Sequence, residues 1–294
     1  MQVNPLHPLF AAEIVGLDTS APPTSGVVAA VEAAMATFAV CAIRDASLDD
    51  QDQIRFSRAF GSIELPPPAE ASRRPNVARE LYDVTNLGPD GEIAPSGMDA
   101  KTQEILEGFH TDSPFNTLPT KWSLLLCHQA PAEGANTNYI DTRAVYADLP
   151  QATKDRIEGL IARHDLFDAF EHRGVKFGTD QLRAQYPSVP HPLVRTSASG
   201  RKSLYIGWHA VSIVGMDEAE GRTLLDELYA LATQDKYVYS HKWRRGDLVI
   251  WDNRCTMHAA THYDRARYKR DCRRTTINEF GPEVSVIQPE RAAV

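Results

Sequence analysis

The sequence predicts a β core decorated by helices, a mainly β protein of the α+β class. Apolar stretches with strand character lie towards both ends of the chain, and stretches with helical periodicity lie between them. Strands and helices do not alternate as they do in a doubly wound fold. The phosphate-binding patterns GxGxxG and GxxxxGK[ST] are absent. Because no internal repeat or linker divides the 294 residues, we expect one domain spanning 1–294.

The helices are predicted from capping residues and from apolar side chains at helical spacing. The segment from Ser47 to Asp50 resembles a capping box that begins a helix through Phe60, and Gly61 would end it. Leucines 224, 225, 228 and 231 form the apolar stripe of another helix. The predicted helices span 27–38, 47–60, 153–164 and 217–233.

Short apolar runs between turn residues predict the strands. These runs are 39–44, 122–128, 203–207, 248–252 and 274–278. Two segments lack clear periodicity. Residues 66–108 are rich in turn formers and predict an irregular, lid-like insert, and residues 165–190 predict a second mobile insert.

Composition excludes several classes of protein. With 31 basic and 39 acidic residues the net charge is −8, so nucleic acid is not an expected partner. No apolar stretch approaches the roughly 20 residues of a membrane span, and the N-terminus lacks the features of a signal peptide. The four cysteines form no CxxC pair, which argues against a disulfide framework and a zinc ribbon. We therefore expect a cytoplasmic protein.

The strongest local signal for a functional site is the segment GFHTD at 108–112. In a strand, residues two apart project from the same face, so His110 and Asp112 could chelate one ion. On a helix the same pair would diverge by about 200°. Taken alone, such a pair is more often an ordinary polar pair at the end of a strand.

A second segment, residues 246–258, supplies another ligand. It combines an apolar strand with a polar turn that presents His258. Two histidines and one carboxylate on one octahedral face leave positions open, as in non-heme Fe(II) oxygenases. Zinc hydrolases also use three protein ligands, so the triad alone does not choose the metal.

The basic residues that follow His258 favour iron. An iron site that splits O₂ needs electrons, and the common donor 2-oxoglutarate carries a distal carboxylate that requires a fixed cation. Arginine suits this role because its planar fork binds carboxylates bidentately. Positions 270, 272 and 274 of a strand share one face. In an acidic chain this basic run predicts a buried anion site rather than a nucleic-acid surface; its members are Arg265, Arg267, Lys269, Arg270, Arg273 and Arg274.

These motifs resemble the taurine/2,4-dichlorophenoxyacetate dioxygenase family (TauD/TfdA) of Fe(II)- and 2-oxoglutarate-dependent enzymes. The resemblance extends in order along nearly the whole chain, and it implies a double-stranded β-helix, or jelly roll, with helical decoration. It is carried by NPLHPLFAAEIVGLD at 4–18, FSRAFGSIE at 56–64, FHTD at 109–112, GANTNYID at 134–141, HPLVRTSASGRKSLYIG at 191–207, WDNRCTMH at 251–258 and RRTT at 273–276.

The resemblance implies that His110, Asp112 and His258 are the iron ligands. His209 follows a predicted strand at a place where the family often has a pocket histidine, so it would contact substrate; the alternative is a structural role. Phe109, next to a ligand, would form a pocket wall. Asp112 also disfavours halogenation, because related halogenases carry a small residue in its place.

The resemblance also assigns the anion contacts. Arg270 would pair with the distal carboxylate of 2-oxoglutarate, and the hydroxyl of Thr137 would share that carboxylate. Arg274 would bind an anionic substrate or the other carboxylate of the cosubstrate. The chain has one residue more between His258 and Arg270 than the family leads us to expect, and a one-residue shift would move the role to position 269 or 273.

The implied reaction consumes Fe(II)-activated O₂ and 2-oxoglutarate, releases succinate and CO₂, and hydroxylates a small anionic organic molecule. The N-terminal stretch and residues 191–207 are most similar to the branch that degrades aryloxyalkanoates such as 2,4-dichlorophenoxyacetate. Leu106 stands where members that bind taurine or 2,4-dichlorophenoxyacetate tend to carry a polar amide, which disfavours taurine in particular. An amino-acid-derived or secondary-metabolite substrate, with hydroxylation, desaturation or cyclisation, stays open.

Two other classes of protein stay open as well. A zinc-dependent hydrolase could use the same triad but would have no use for Arg270. A non-catalytic jelly-roll binding protein could keep the fold without needing the ligands and the arginine together. The family resemblance also implies a homo-oligomer, a dimer or tetramer.

Overall fold

The computed structural model describes residues 1–46, 48–67, 72, 74–95, 99–117, 120–184, 186–197 and 199–279. Ser47, which the sequence predicts to begin a capping box, lies outside these residues. The described helix nearby is capped by Asp49, whose side chain accepts from the backbone N–H of Asp52. Asp52 in turn accepts from the backbone of Asp49, so a capping box is present two residues further along the chain.

The strands confirm the predicted β core. In chain order they are β1 (Gln2–Pro5), β2 (Ala12–Val15), β3 (Val40–Ile43), β4 (Ile63–Glu64), β5 (Tyr82–Thr85), β6 (Thr120–Gln129), β7 (Thr137–Asp141), β8 (Ile161–His164), β9 (Val189–Pro192), β10 (Val194–Thr196), β11 (Lys202–Leu204), β12 (Ala210–Ile213), β13 (Val238–His241), β14 (Leu248–Asp252), β15 (Thr256–Ala260) and β16 (Asp271–Asn278).

Helices lie between these strands and cover the sheets. They are α1 (Ser25–Phe38), α2 (Asp50–Arg58), α3 (Ala100–Leu106), α4 (Thr142–Asp148), α5 (Gln151–Ile157), α6 (Leu166–His172), α7 (Asp180–Arg183) and α8 (Glu218–Ala232), with a 3₁₀ turn at Asp235–Tyr237. None of the helices in the described ranges has the length and apolar character that a membrane crossing requires.

A mostly antiparallel major sheet has the strand order β1-β2-β3-β14-β6-β16-β4, with β5 added beside β16. Its central strands are buried on both faces, which explains their continuous apolar sequences. Alternation along β6 sends Leu124 and Leu126 towards α1 and α2, and Leu125 and Cys127 towards the minor sheet. Helix α2 is tied to this sheet because Gln53 Nε2 donates to the carbonyls of Leu124 and Arg273.

A minor sheet with the order β13-β7-β15 faces the major one. Tyr139 on β7 packs in the cluster between the two sheets, whereas its neighbour Ile140 packs outwards with residues of α4 and α8. On β15, Met257 likewise faces outwards. His258 is paired with Tyr139 across the ladder and therefore faces the space between the sheets.

One predicted helix is wrong. Residues 153–164 form the short helix α5 and then strand β8, which pairs with β9 and β12. Gly159 has a φ of 75°, a left-handed conformation that suits glycine and ends the helical turn. The apolar residues beyond it belong to a strand whose alternate side chains are buried.

The two inserts contain regular elements that the sequence did not predict. Within 66–108, residues 68–71, 73 and 96–98 lie outside the described part of the chain. The remainder includes β5, which pairs with β16, and helix α3. The second insert, 165–190, contains α6 and α7.

Candidate metal centre and its two cavities

The structure brings His110, Asp112 and His258 together. One ligand atom from each residue lies within 4.8 Å of those of the others. His110 and His258 are neighbours because their backbones form an isolated β-bridge, with N–H to O=C distances of 3.0 and 2.8 Å. His110 Nδ1 bonds to the carbonyl oxygen of Gly108 at 2.8 Å, which leaves Nε2 free to ligate a metal. The Nε2 atom of His258 lies 3.8 Å from Asp112 Oδ1.

The Asp112 carboxylate is oriented by buried polar groups. Ser123 Oγ donates to Oδ2 at 2.6 Å, and Asn253 Nδ2 donates to Ser123 Oγ at 2.9 Å. The amide oxygen of Asn253 also accepts from the backbone N–H of Asp112 at 3.2 Å and from Trp251 Nε1 at 3.0 Å. Asn253 and Ser123 are both fully buried, so this network connects the carboxylate to the core strands β6 and β14.

The electrostatics of the cluster suit a divalent cation. Burial lowers the pKa of His258 to about 3, with a further lowering by His110, and burial also lowers the pKa of His110. Burial alone would raise the pKa of Asp112, but Arg274 and the two histidines lower it to about 2. At neutral pH the cluster therefore presents two neutral imidazoles and one carboxylate, the protonation state that metal binding requires.

Two cavities lie on either side of Arg274. The first, of about 320 Å³, contains the metal-ligand residues His110 and Asp112. We call it the apolar cavity because Leu106, Phe115, Leu166, Phe177 and Trp208 line it. The second, of about 450 Å³, is called the arginine cavity and is lined by Tyr82, Asp83, Val84, Thr85, Tyr263, Arg265, Arg270 and Arg274.

Arg270 is the buried cation of the arginine cavity. It lies directly before β16, and its backbone N–H donates to the side-chain oxygen of Asn86 at 2.8 Å. Thr137 is buried at the start of β7, where its hydroxyl accepts from Trp243 Nε1 at 3.0 Å. Tyr139 lies two residues further along β7 on the same face as Thr137, and burial raises the pKa of its hydroxyl.

Arg274 lines both cavities and contacts the metal-ligand cluster. Its Nη1 donates to Asp112 Oδ1, and its guanidinium carbon lies 4.4 Å from the centre of the Tyr82 ring. The Tyr82 hydroxyl donates at 2.5 Å to Glu64, a fully buried carboxylate that also accepts from Ser113. Arg274 is thus positioned between an aromatic face and the carboxylate of the cluster.

The neighbouring basic residues point elsewhere. Arg273 faces the opposite side of β16, where it pairs with Asp50 of α2. Lys269 pairs with Glu92 at 2.9 Å and donates to the carbonyl of Gly91. Neither residue lines the arginine cavity. A cavity of about 540 Å³ on the α2 side of the sheet includes Arg273 and His128 but none of the metal-ligand residues.

The two predicted substrate contacts have different positions. His209 is buried and lines the apolar cavity. Phe109 does not line either cavity; it packs against the cluster formed by α4, α8 and the outer face of the minor sheet. In extended backbone adjacent side chains point to opposite faces, and His110, which forms the β-bridge with His258, points towards the metal-ligand cluster.

Sequence reasoning missed several residues of the centre. Asn253 and Ser123 lie in predicted strands or motifs, but no spacing pattern connects either residue to Asp112. No motif in the sequence singles out His164, and the structure places it in the lining of the apolar cavity. A continuous apolar run with one embedded serine, as in β6, is the signal that could have pointed to Ser123.

The family model of the taurine catabolism dioxygenase TauD, TfdA family matches residues 2–276. This chain belongs to that family.

Relatives of this TauD/TfdA family member include two alpha-ketoglutarate-dependent dioxygenases. The chain is 39% identical over 280 residues to the alpha-ketoglutarate-dependent 2,4-dichlorophenoxyacetate dioxygenase of Burkholderia sp. (strain RASC), covering 92% of both chains. It is 31% identical to the (S)-phenoxypropionate/alpha-ketoglutarate-dioxygenase of Sphingobium herbicidovorans over 274 residues, 89% of this chain and 90% of the relative.

Solved structures agree with the fold. The crystal structure of AAD-2 in complex with Mn(II) and N-oxalylglycine superimposes with a TM-score of 0.85 at 36% identity, covering 96% of this chain and all of that one. A taurine dioxygenase from Burkholderia xenovorans gives a TM-score of 0.76 at 26% identity, with coverages of 94% and 89%. These comparisons confirm the predicted family, its dioxygenase activity and the predicted α+β fold with a jelly-roll core.

Proposed function

We propose that this TauD/TfdA family member uses Fe(II), O₂ and 2-oxoglutarate to hydroxylate a small anionic organic substrate. The substrate class we propose is the aryloxyalkanoates, such as 2,4-dichlorophenoxyacetate. The observation that carries the proposal is the pair of arginines beside the His–Asp–His cluster, Arg270 in the arginine cavity and Arg274 reaching the apolar cavity. Two cations on the two sides of the ligands suit one carboxylate of a cosubstrate and one of a substrate.

His110, Asp112 and His258 would bind the metal through two neutral imidazoles and one carboxylate. When bound, iron and 2-oxoglutarate together supply the activation of O₂, and the cosubstrate leaves as succinate and CO₂. The chain contributes the ligand orientation, through Gly108 at His110 and Ser123 at Asp112. Its two cavities, which share Arg274, would hold the two organic molecules on either side of that arginine.

Arg270 would bind the distal carboxylate of 2-oxoglutarate, with the Thr137 hydroxyl beside it. Arg270 is more than nine-tenths buried, so a carboxylate paired with it is shielded from solvent and the interaction is strong. Lys269 and Arg273 point away from the arginine cavity, towards Glu92 and Asp50, which supports Arg270 rather than its neighbours for this role.

Arg274 would bind the carboxylate of the substrate. The walls of the apolar cavity suit an aromatic body beyond that carboxylate, since they are mostly aliphatic and aromatic side chains. An aryloxyalkanoate bound in this way would be hydroxylated at the carbon beside its ether oxygen, and the resulting hemiacetal would collapse to a phenol and an oxoacid. We further propose that the protein is cytoplasmic and that it forms a homo-oligomer. Light scattering of the purified chain tests the oligomeric state.

The central test is anaerobic addition of Fe(II) and 2-oxoglutarate to the purified protein. We expect a visible metal-to-ligand charge-transfer band that is lost in His110→Ala. Succinate formation across aryloxyalkanoates, sulfonates and amino acids then identifies the substrate class. Absence of the band, together with hydrolytic turnover of a zinc-loaded enzyme, would overturn the proposal.

Arg274→Ala should raise the KM for aryloxyalkanoates about tenfold or more, because a charge-assisted hydrogen bond contributes roughly 1.5–3 kcal/mol. Because Arg274 also contacts the ligand Asp112, the variants are compared at saturating metal, where the turnover of 2-oxoglutarate without primary substrate should be largely retained. The exposed Arg267 lies on the same segment, and Arg267→Ala provides the matched control with unchanged KM. Loss of both activities in Arg274→Ala would instead assign Arg274 to the cosubstrate.

A further inference from the structure

Two histidines from different elements meet in the apolar cavity. His164 ends strand β8, and His209 directly precedes β12. Both side chains are almost fully buried, and their Nδ1 atoms are 2.8 Å apart. A hydrogen bond between two imidazoles needs one N–H donor and one lone pair, so the pair has a definite direction.

The backbone next to the metal ligands sets that direction. The N–H of Thr111, between His110 and Asp112, donates to His209 Nε2 at 3.3 Å. Because Nε2 of His209 is an acceptor, the ring proton of His209 is on Nδ1, and it donates to Nδ1 of His164. Nδ1 of His164 is then an acceptor, so the proton of His164 is on Nε2.

This hydrogen on His164 has no partner in the described part of the chain. The Nε2 atom of His164 is buried and makes no hydrogen bond. Trp208, which lines the same cavity, likewise has a buried indole N–H without an acceptor. A buried unsatisfied donor costs stability, and native structures keep few of them. His164 and Trp208 both line the apolar cavity, so a molecule bound there is positioned to supply the two acceptors.

The other groups of the apolar cavity limit what that molecule can be. Asp165, the carboxylate next to His164, is engaged at the start of α6, where it accepts from the N–H groups of Phe167 and Asp168, and it pairs with Arg163. The guanidinium of Arg274 is the cation of the cavity and adjoins the ligand Asp112. A carboxylate is therefore best bound at Arg274, and the neutral N–H of His164 suits an uncharged oxygen.

We propose that His164 is a specificity-determining residue whose Nε2–H donates to an uncharged acceptor oxygen of the substrate, in an aryloxyalkanoate the ether oxygen. His209 is a positioning residue that fixes the tautomer of His164 through the backbone of Thr111. The inference rests on the proposed function for its substrate class. The hydrogen bond from His164 would distinguish substrates that share a carboxylate and an aromatic ring but differ in the atom between the two groups.

The tautomers are measured directly by NMR of the full chain with isotope-labelled histidine. We expect the ring proton of His209 on Nδ1 and that of His164 on Nε2. The variants His164→Gln and His209→Gln assign the two sets of signals. A proton on Nδ1 of His164 overturns the proposal, whatever the enzyme turns over.

The donor is tested by comparing phenoxyacetate with 3-phenylpropanoate, in which a methylene replaces the ether oxygen. His164→Phe keeps a ring of similar size but removes the donor, and we expect the KM for phenoxyacetate to rise about tenfold. The KM for 3-phenylpropanoate should stay within about twofold. His164→Gln, which keeps an N–H near the same place, should restore most of the preference.

Equal changes in KM for both substrates overturn the donor role and leave only a packing role for His164. Circular dichroism and thermal unfolding of both variants show whether they are folded. If the wild-type enzyme turns over neither compound, the proposed aryloxyalkanoate function fails. In that case the NMR tautomers still decide the orientation of the hydrogen bond, so the two failures are distinguishable.

Discussion

The carboxylate of Asp112 lies among residues from several distant parts of the chain. Ser123 on β6 binds one oxygen, Arg274 on β16 binds the other, and Asn253 after β14 binds the backbone N–H. Each contact limits the rotation of the carboxylate before a metal arrives. Such supporting groups orient metal ligands, and their removal commonly lowers metal affinity about tenfold to 100-fold.

Ser123→Ala should therefore weaken metal binding without removing a ligand. The change deletes a 2.6 Å hydrogen bond to Oδ2 and leaves the amide of Asn253 without its acceptor. We expect the Kd for Mn(II), measured by electron paramagnetic resonance of the free ion, to rise about tenfold or more. Ser240 lies exposed on β13, and Ser240→Ala is the control with unchanged Kd. Equal affinities in the two variants would contradict this role for Ser123.

At the level of single residues, the sequence predicted the groups that share a motif. His110 and Asp112 were recognised because two-residue spacing in a strand has a simple geometric meaning. His164 was missed because its partner, His209, is 45 residues away and the link to Thr111 spans 98 residues. Contacts of this range depend on the packing of sheets, which no local pattern encodes. Phe109 is the opposite case: it is next to the ligand His110 in sequence, but its side chain packs on the other face, away from the cavities.

Elements buried on both faces were the easiest to predict. The described bounds of β14, Leu248–Asp252, are those predicted, because a short apolar run between turn residues has few other interpretations. The prediction of one helix over 153–164 failed because α5 and β8 follow each other with only a short connection between them. Only the backbone conformation at Gly159 separates them, and a glycine within a helical pattern does not by itself identify a break.

The connection between β11 and β12 places a glycine against the candidate metal centre. A Cβ at Gly207 would lie 2.5 Å from His209 Nε2 and 3.1 Å from the Cα of His110. Both distances are too short for a methyl group, so either the histidine ring or the backbone of a metal ligand has to move. The absence of a side chain at position 207 thus allows the connection to pack against the backbone of His110.

Gly207→Ala should accordingly reduce both stability and metal affinity. Overpacking of this kind costs about 1–3 kcal/mol, which urea unfolding of the metal-free protein measures. Gly26 in the first turn of α1 is the matched control, since its Cβ would meet nothing closer than Thr24 Oγ1 at 3.9 Å. Gly26→Ala should be neutral or stabilise by up to about 1 kcal/mol. A Gly207→Ala protein with wild-type stability and wild-type Mn(II) affinity would refute the steric argument.

For the whole molecule, composition and element types were enough to predict a β core with helices, but not the order of strands. The major sheet joins β3, β14, β6 and β16, which come from four separate parts of the chain. Strand β5 illustrates why this order could not be derived. It lies in a segment rich in turn formers and becomes a strand because β16 offers it an edge, with Arg274 paired to Tyr82. The same pairing contributes an aromatic face to the arginine cavity.

The burial of many histidines makes the metal-free protein sensitive to acid. In the folded state, burial lowers the pKa of six histidines below the value of about 6.5 that they have in an unfolded chain. The pKa of His258 falls to about 3. The other five are His110, His164, His191, His209 and His241. Since the unfolded state then binds more protons, their contribution is complete above about pH 6.5 and is lost as pH falls towards the folded pKa values. Each histidine contributes a slope of up to about 1.4 kcal/mol per pH unit in that window.

Urea unfolding in the presence of a chelator should show that the free energy of unfolding falls between about pH 7 and about pH 5. His262 is exposed, so the control variant His262→Gln should show the same slope. A free energy that does not change over this interval would mean that these histidines become protonated without cost in the folded protein.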